Sequence, residues 1–396
     1  MPSSAIPDHD IRSIQRLTTL HGHISAQTSA EQSNMSNQTL KIVVCRDLGP
    51  DVMPLFYERP ELDIVTWPHD RPCERAWMLE NVPGATGIVV VFGEPVNQEV
   101  IDLAGPSLKV VSTMSVGYDH IDLAALKARG IRAGYTPDVL TDAVADLAIM
   151  LALMAGRNGS ETIDLVQTGQ WPQYSWSPYG FCGPQLSAPS AFLSSLTPNV
   201  QSQRTAGFIG FGRIGQATLA RLVPFGITDV VYYTNPANDS DPKAIERFAK
   251  LEEELCKRHP SLKSIFRVSK AELAKQSDVV FVLAPGGPAT RHVVDEEFLK
   301  EMRRTAVLVN ASRGTLVDSD ALAKALKEKW LWAAGVDVVE GEPKVGSDHV
   351  LVKEPRCTVL PHIGSATLET RLGMATLAAK NLIAGVFNEQ MPMELK

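Results

Sequence analysis

The sequence of 396 residues predicts an α/β protein built from two doubly wound parallel-sheet domains, Rossmann-like or flavodoxin-like, with a cleft between them. Two observations predict this fold. Short runs that are apolar on both faces alternate with helical stretches, which is typical of buried parallel strands. The alternation stops near Tyr135–Pro137 and then starts again, so the chain contains two such series.

The first series begins after a polar N-terminal segment. It has three runs of strand length: Ile42–Val44, Ile88–Val91 and Val110–Val111. A long helix then follows. Its expected N-cap is Thr141 or Asp142, and Leu147, Leu151 and Met154 share one face.

The second series has six runs of strand length: Ala206–Ile209, Val230–Tyr233, Asp278–Leu283, Ala306–Val309, Ala333–Val338 and Thr358–Leu360. A last helix is predicted over Leu368–Phe387. Two segments resemble insertions. The segment Tyr174–Gln203 is rich in Ser, Pro and Gly, which predicts a long surface loop. The segment Asp239–Ser264 is charged and has helical spacing, which predicts a solvated helix at the edge of the domain. The predicted domains are 40–140 with 367–396, and 141–366.

Composition excludes several classes of function. The net charge of -7 and the absence of a Lys/Arg-rich block predict no nucleic-acid partner, and no apolar run approaches the roughly 20 residues that cross a bilayer. The five cysteines form no CxxC pair, and we predict neither a disulfide framework nor a metal site. A reducing compartment, the cytoplasm, is therefore the expected location.

Residues 1–39 are too polar to build a core and are excluded from the fold. The amphipathic stretch Ile11–Leu20 suggests a mitochondrial transit peptide, but Asp8 and Asp10 argue against one. A disordered tail, or a start of translation at Met35, is the favoured interpretation, and a mitochondrial location is the alternative.

One motif predicts a dinucleotide site. The strand ending Phe208–Ile209 continues into a GxGxxG sequence and then a helix. The first glycine permits a tight turn, the second lets a pyrophosphate approach the backbone, and the third lets helix and strand pack closely. The helix N-terminus offers free amides to the phosphates. The predicted contacts are Gly210, Gly212, Arg213, Ile214 and Gly215.

The next strand ends in Thr234 and Asn235, which we also expect to contact the dinucleotide. An acid at this point would hold the ribose 2′-hydroxyl of NAD. The nearest acid, Asp239, lies beyond Pro236. Without a carboxylate a 2′-phosphate is not repelled, so NADPH is favoured and NAD is the alternative. No arginine stands beside Asn235 to bind that phosphate.

Three polar residues follow late strands of the second series: Arg313, Glu342 and His362. Reduction of a 2-keto acid needs a cation for the carboxylate, a proton donor for the carbonyl oxygen, and a group that keeps the donor protonated. Arginine, histidine and glutamate suit these roles respectively. Taken singly, each residue could instead be a surface group, a turn residue or a helix cap.

Together with the glycine motif, four further stretches resemble the D-isomer-specific 2-hydroxyacid dehydrogenases: Pro288–Thr290, Asn310–Gly314, Ala334–Pro343 and Pro361–Ser365. The resemblance covers residues 40–396. It implies that the first domain binds substrate and the second binds the dinucleotide. Within the family, Ser112–Gly117, Gly134–Thr141 and Pro361–Thr367 are most similar to eukaryotic glyoxylate/hydroxypyruvate reductases. That similarity implies NADPH-linked reduction of glyoxylate and hydroxypyruvate to glycolate and D-glycerate by a homodimer.

The resemblance also assigns roles to residues. It implies that Arg313, Glu342 and His362 are catalytic and that His362 donates the proton. Substrate contacts are implied for Val116, Gly117, Arg313 and Ser365. Further dinucleotide contacts are implied for Ala284, Pro285, Thr290, Ala311, Asp337, His362 and Gly364.

Two alternatives stay open. A phosphoglycerate or D-lactate dehydrogenase would share the fold, but the former often carries an additional domain and the latter normally uses NAD. A dinucleotide-sensing binding protein could keep the same three polar residues.

Overall fold

The computed structural model describes residues 39–197 and 203–395. Except for Thr39, the segment interpreted as a tail or transit peptide lies outside the described residues. The chain divides into two compact units. The first contains the described residues up to Met114, Ile121–Gly134, and the chain from Ala378 onward. The second contains Ser115–His120 and Tyr135–Leu377.

The first unit has one parallel sheet of five strands in the order β2-β1-β3-β4-β5. This order is that of the flavodoxin-like doubly wound fold. The strands are β1 (Leu40–Val44), β2 (Leu62–Thr66), β3 (Gly87–Val90), β4 (Val110–Thr113) and β5 (Arg132–Gly134). The helices between them are α1 (Pro54–Tyr57), α2 (Arg75–Asn81), α3 (Gln98–Ala104) and α4 (Leu123–Ala128).

The second unit has a parallel sheet of seven strands flanked by helices. The strands are β6 (Thr205–Ile209), β7 (Asp229–Tyr233), β8 (Ser264–Arg267), β9 (Val279–Val282), β10 (Val307–Asn310), β11 (Ala333–Val336) and β12 (Cys357–Val359). The helices are α5 (Thr141–Gly156), α6 (Gly159–Gln167), α7 (Ala191–Leu196), α8 (Arg213–Leu222), α9 (Pro242–Arg258), α10 (Lys270–Gln276), α11 (Glu296–Glu301) and α12 (Ser319–Lys327). The last helix, α13 (Leu368–Val386), begins in the second unit and ends in the first.

The strand order of the second sheet, β12-β11-β10-β9-β6-β7-β8, reverses between β6 and β9. In open α/β sheets the crevice for a ligand lies outside the carboxyl ends of the strands at such a reversal. The two faces of the sheet carry separate apolar cores, one around Leu273 and Leu308 and one around Phe208 and Phe281. The predicted α/β fold with two doubly wound sheets is confirmed.

Strands β2, β5 and β8 are absent from the sequence prediction, and all three lie at sheet edges. Edge strands are partly exposed, so they lack a run that is apolar on both faces. In β8, for example, Ile265 is buried whereas Phe266 is exposed. The prediction of a capped start for α5 is also wrong, because the helix begins at Thr141 and Leu140 occupies the cap position without a side-chain hydrogen bond.

The two predicted insertions have different outcomes. The charged segment forms a helix, α9, as predicted. The segment predicted as a loop, Tyr174–Gln203, contains the short helix α7, whose first turn is capped by the hydroxyl of Ser190. Residues 198–202 of that segment lie outside the described part of the chain. Among the described helices, none has the length and apolar character to cross a membrane.

Candidate functional site

A cavity of about 1140 Å³ opens at the carboxyl ends of β6, β7 and β9. It exceeds the roughly 300–1,000 Å³ of pockets for drug-sized ligands, so it has room for a larger molecule such as a dinucleotide. Seven of the predicted contacts line it: Gly210, Gly212, Thr234, Asn235, Ala284, Pro285 and Thr290. The cavity therefore lies at the reversal of strand order, where the fold places a ligand.

Gly210, the first residue of the turn between β6 and α8, has no space for a side chain. Gly210 has a φ of +83°, and a Cβ atom there would lie 2.5 Å from the Cα of Ala284. Gly212 occupies the N-cap position of α8, so the amides of the first helical turn stand without helical acceptors beside the cavity. These features fit the phosphates of a dinucleotide.

The end of β7 carries no acid. The Oδ1 atom of Asn235 accepts a hydrogen bond from the amide of Ala237 at 3.0 Å, so the side chain closes its own turn. Helix α9 forms another part of the cavity wall and contributes Lys243, Arg247 and Lys250 among others. These three residues are absent from the sequence prediction, because they lie within the segment Asp239–Ser264, which was predicted as a solvated surface helix.

Arg313 follows β10 and approaches the loop Ser115–His120 of the same unit. Its Nε atom lies 3.0 Å from a carboxylate oxygen of Asp119, and its Nη1 donates to the carbonyl of Ser312 at 2.8 Å. A Cβ atom at Gly117 would overlap Nη2 of Arg313. The structure thus brings together Arg313 and Gly117, two of the predicted substrate contacts.

His120 stands beside this arginine and was not predicted. Burial lowers the pKa of His120 to about 4, with Arg313 acting in the same direction and Asp119 in the opposite one. The imidazole is therefore uncharged at neutral pH. The sequence offers a weak signal for both neighbours, because Asp119 and His120 follow Gly117 by two and three positions.

His362 and Glu342 come from the loops after β12 and β11, which are neighbouring strands. The Nδ1 atom of His362 lies 3.2 Å from Oε1 of Glu342, within ion-pair distance. Both side chains are about one quarter exposed, so solvent reaches them. The backbone of His362 has a φ of +55°, in the left-handed region that is uncommon for residues other than glycine, although histidine is enriched there.

Asp337 holds the loop that carries His362. Its carboxylate oxygens accept hydrogen bonds of 2.7 Å from the amides of Ile363 and Gly364, and its carbonyl accepts one of 2.8 Å from the amide of His362. Burial raises the pKa of Asp337, and the two amide hydrogen bonds act in the opposite direction. The dinucleotide contact implied for Asp337 stays a prediction.

The other predicted residues lie outside the cavity lining. The guanidinium of Arg213 bonds Asp138 at 2.8 Å. The carbonyl of Ser365 accepts a hydrogen bond from Arg371 at 3.2 Å. The remainder are Ile214, Gly215, Ala311, Asp337, His362 and Gly364, together with the predicted substrate-binding and catalytic residues Val116, Gly117, Arg313 and Glu342. Among the described residues, no group of histidine, cysteine or acidic side chains could hold a metal ion.

The arrangement combines a dinucleotide-sized cavity with an imidazole–carboxylate pair and a guanidinium. An imidazole can donate or accept a proton, and the guanidinium can bind a planar carboxylate through two parallel hydrogen bonds. These groups follow β10, β11 and β12, three adjacent strands of the sheet that also borders the cavity.

Comparison with known proteins agrees with this site. Residues 149–364 match the family model of the D-isomer-specific 2-hydroxyacid dehydrogenases, NAD-binding domain. The chain is 39% identical to the glyoxylate reductase/hydroxypyruvate reductase of Homo sapiens over 357 residues, which cover 90% of this chain and 98% of that one. The chain therefore belongs to the D-isomer-specific 2-hydroxyacid dehydrogenases, a family of enzymes that use a nicotinamide dinucleotide.

Solved structures support the same assignment. A glyoxylate reductase from Paecilomyes thermophila aligns with a TM-score of 0.71 at 26% identity, covering 90% of this chain and 98% of that chain. An NADPH-dependent glyoxylate/hydroxypyruvate reductase from Sinorhizobium meliloti, solved with NADP and malonate, aligns with a TM-score of 0.67 at 29% identity, covering 90% and 96%.

Proposed function

We propose that this enzyme reduces glyoxylate to glycolate and hydroxypyruvate to D-glycerate, with NADPH preferred over NADH. The observation that carries the proposal is the 3.2 Å pair of His362 and Glu342 in the unit that holds the dinucleotide cavity. The identity of 39% to the human reductase over nearly its whole length supports the choice of substrates. The absence of an acid at the end of β7 supports NADPH.

In the proposed reduction, each residue of the site has a separate role. NADPH, when bound, supplies the hydride that reaches the 2-keto carbon. Arg313 binds the substrate carboxylate, aided by the backbone amides of Val116 and Gly117. His362 donates a proton to the carbonyl oxygen, and Glu342 stabilises the imidazolium form through its charge. Reaction in the reverse direction would use the same imidazole as the proton acceptor.

A panel of substrates tests the proposal. Oxidation of NADPH and of NADH is followed in parallel with glyoxylate, hydroxypyruvate, pyruvate and 3-phosphohydroxypyruvate. We expect the highest kcat/KM with the first two substrates and NADPH. A preference for pyruvate with NADH would favour a D-lactate dehydrogenase, and a preference for the phosphorylated substrate would favour a phosphoglycerate dehydrogenase. Dinucleotide binding without turnover of any substrate would favour a sensor and contradict the proposal.

A homodimer in the cytoplasm, with a mitochondrial location as the alternative, completes the proposal. Helices α5 and α6 expose the apolar side chains Met150, Leu153, Ile163 and Val166, between 39% and 52% each. Such a group of exposed apolar residues is typical of an interface. Sedimentation velocity at micromolar concentration measures the oligomeric state, and a monomer at all concentrations would contradict the dimer.

A further inference from the structure

We propose that Lys243 and Arg247, on the inserted helix α9, bind the 2′-phosphate of NADPH and so determine the coenzyme preference. The inference rests on the proposed function, because it names the residues that would select NADPH. It depends on three observations in the second unit: the lining of the cavity, the anchoring of α9 to the sheet, and the charges on its cavity face.

The first observation concerns position. In this fold the ribose of the adenosine half lies at the end of the second strand, here β7. Thr234 and Asn235 follow β7 and line the cavity, and the same cavity is lined by Lys243 and Arg247. These two residues are four positions apart, so they project from the same face of α9 about 6 Å apart along its axis.

The second observation is that α9 is fixed against the sheet near this point. Ala244 and Leu255 are buried on its inner side. The ring of Phe248 lies 5.9 Å from that of Tyr232 on β7, and the guanidinium of Arg247 lies 4.8 Å from the centre of the Phe248 ring. A helix held in this way presents its cations at a defined place rather than on a loose surface segment.

The third observation concerns charge. The side chains of Lys243 and Arg247 are exposed to the cavity, and within the described chain neither forms an ion pair. The neighbouring Lys250 differs, because its Nζ atom lies 2.7 Å from Glu246. The same contact pairs Glu246, which is the acidic residue of the cavity wall nearest to Lys243 and Arg247. Two available cations complement the negative charge of a phosphate, and the planar guanidinium suits its oxygens.

The remaining acid on this face is too far along the helix to cancel the effect. Glu254 also lines the cavity, but it is seven residues beyond Arg247, which corresponds to about 10 Å along the helix axis. The end of the wall nearest Asn235 therefore carries the positive charge.

Direct binding measurements test the inference. The dissociation constants of NADPH and NADH are measured without substrate, by fluorescence titration, for the wild type, Lys243→Ala, Arg247→Ala and the double variant. Loss of a charge-assisted hydrogen bond should weaken NADPH binding roughly ten- to hundredfold for Arg247→Ala, with NADH binding changed less than about twofold. The matched control is Lys257→Ala, which removes the same charge from α9 at a position that pairs with Glu253.

A second comparison guards against a folding defect. Arg247→Lys keeps the charge and should recover most of the NADPH affinity, and 2′,5′-ADP should compete less well with the coenzyme in Arg247→Ala than in the wild type. Equal changes for NADPH and NADH, or a change below about twofold for NADPH in the double variant, would overturn the inference. So would a wild-type enzyme that binds both coenzymes equally.

These results are separate from those of the proposed function. If the wild type reduces keto acids with NADPH and the α9 variants keep the preference, the inference fails and the proposed function stands. If the wild type turns over no keto acid, the proposed function fails. The ratio of the dissociation constants of NADPH and NADH, compared between the wild type and the α9 variants, still decides whether α9 binds the 2′-phosphate.

Discussion

At the scale of single residues, the proposed proton transfer depends on the pair formed by His362 and Glu342. We expect His362→Gln to lower kcat with hydroxypyruvate by roughly 10²- to 10⁴-fold, because general acid catalysis contributes about that much. The dissociation constant of NADPH should change little. Stopped-flow reduction assays and coenzyme titration give the two quantities.

Glu342→Gln tests the role of the partner. Without the carboxylate 3.2 Å away, the proposed proton donor loses its charged partner, so kcat/KM for hydroxypyruvate should fall roughly tenfold or more. His69→Gln, an exposed change in the first unit, is the control and should leave kcat/KM unchanged. Turnover of His362→Gln at the wild-type rate would remove histidine from the mechanism.

At the same scale, the sequence predicts which residues are polar and follow strands, but not which atoms they contact. Asp337 is an example, because its carboxylate accepts hydrogen bonds from the amides of Ile363 and Gly364. His120 is another, since only folding places its ring near Arg313 and lowers its pKa. Such contacts join segments far apart in the chain, and periodicity carries no information about them.

At the scale of elements, the turn from β6 into α8 depends on Gly210. Alanine at this position meets two penalties: a φ of +83° and overlap with the backbone of Ala284. We expect Gly210→Ala to lower the free energy of unfolding by roughly 2–3 kcal/mol and to weaken the binding of both coenzymes. Urea denaturation and coenzyme titration measure these effects.

Gly169→Ala is the matched control for this turn. Gly169 has a φ of +72°, and no atom lies within 4 Å of the Cβ position. Its substitution should therefore cost about 1 kcal/mol, with no change in coenzyme binding. Equal effects of the two substitutions would show that backbone conformation alone, and not the approach of Ala284, makes glycine necessary at position 210.

Elements were predictable from sequence in proportion to their burial. All the central strands of both sheets carry apolar runs, whereas the missed strands β2, β5 and β8 lie at edges. Helix α9 was predicted from its charged helical spacing, but its proposed role was not. Its amphipathic pattern shows one apolar face, and only the structure shows that Lys243 and Arg247 line the cavity.

For the whole molecule, the two parallel sheets and the cavity at the strand reversal support one account: hydride passes from the nicotinamide to the 2-carbon of a small keto acid. The sequence predicts both sheets because parallel strands are apolar on both faces, and it predicts the dinucleotide site because the glycines are adjacent in the chain. Coenzyme preference is harder to predict from the sequence, because the residues proposed to determine it come together only in the folded unit.

Transfer of an isotope tests this claim most directly. The enzyme is incubated with hydroxypyruvate and NADPH that carries deuterium at both C4 positions, and the glycerate is analysed by mass spectrometry and chiral chromatography. The account predicts D-glycerate with one deuterium on C2, retained in ordinary water. Glycerate without deuterium, the L-isomer, or oxidation of the coenzyme without glycerate would contradict it.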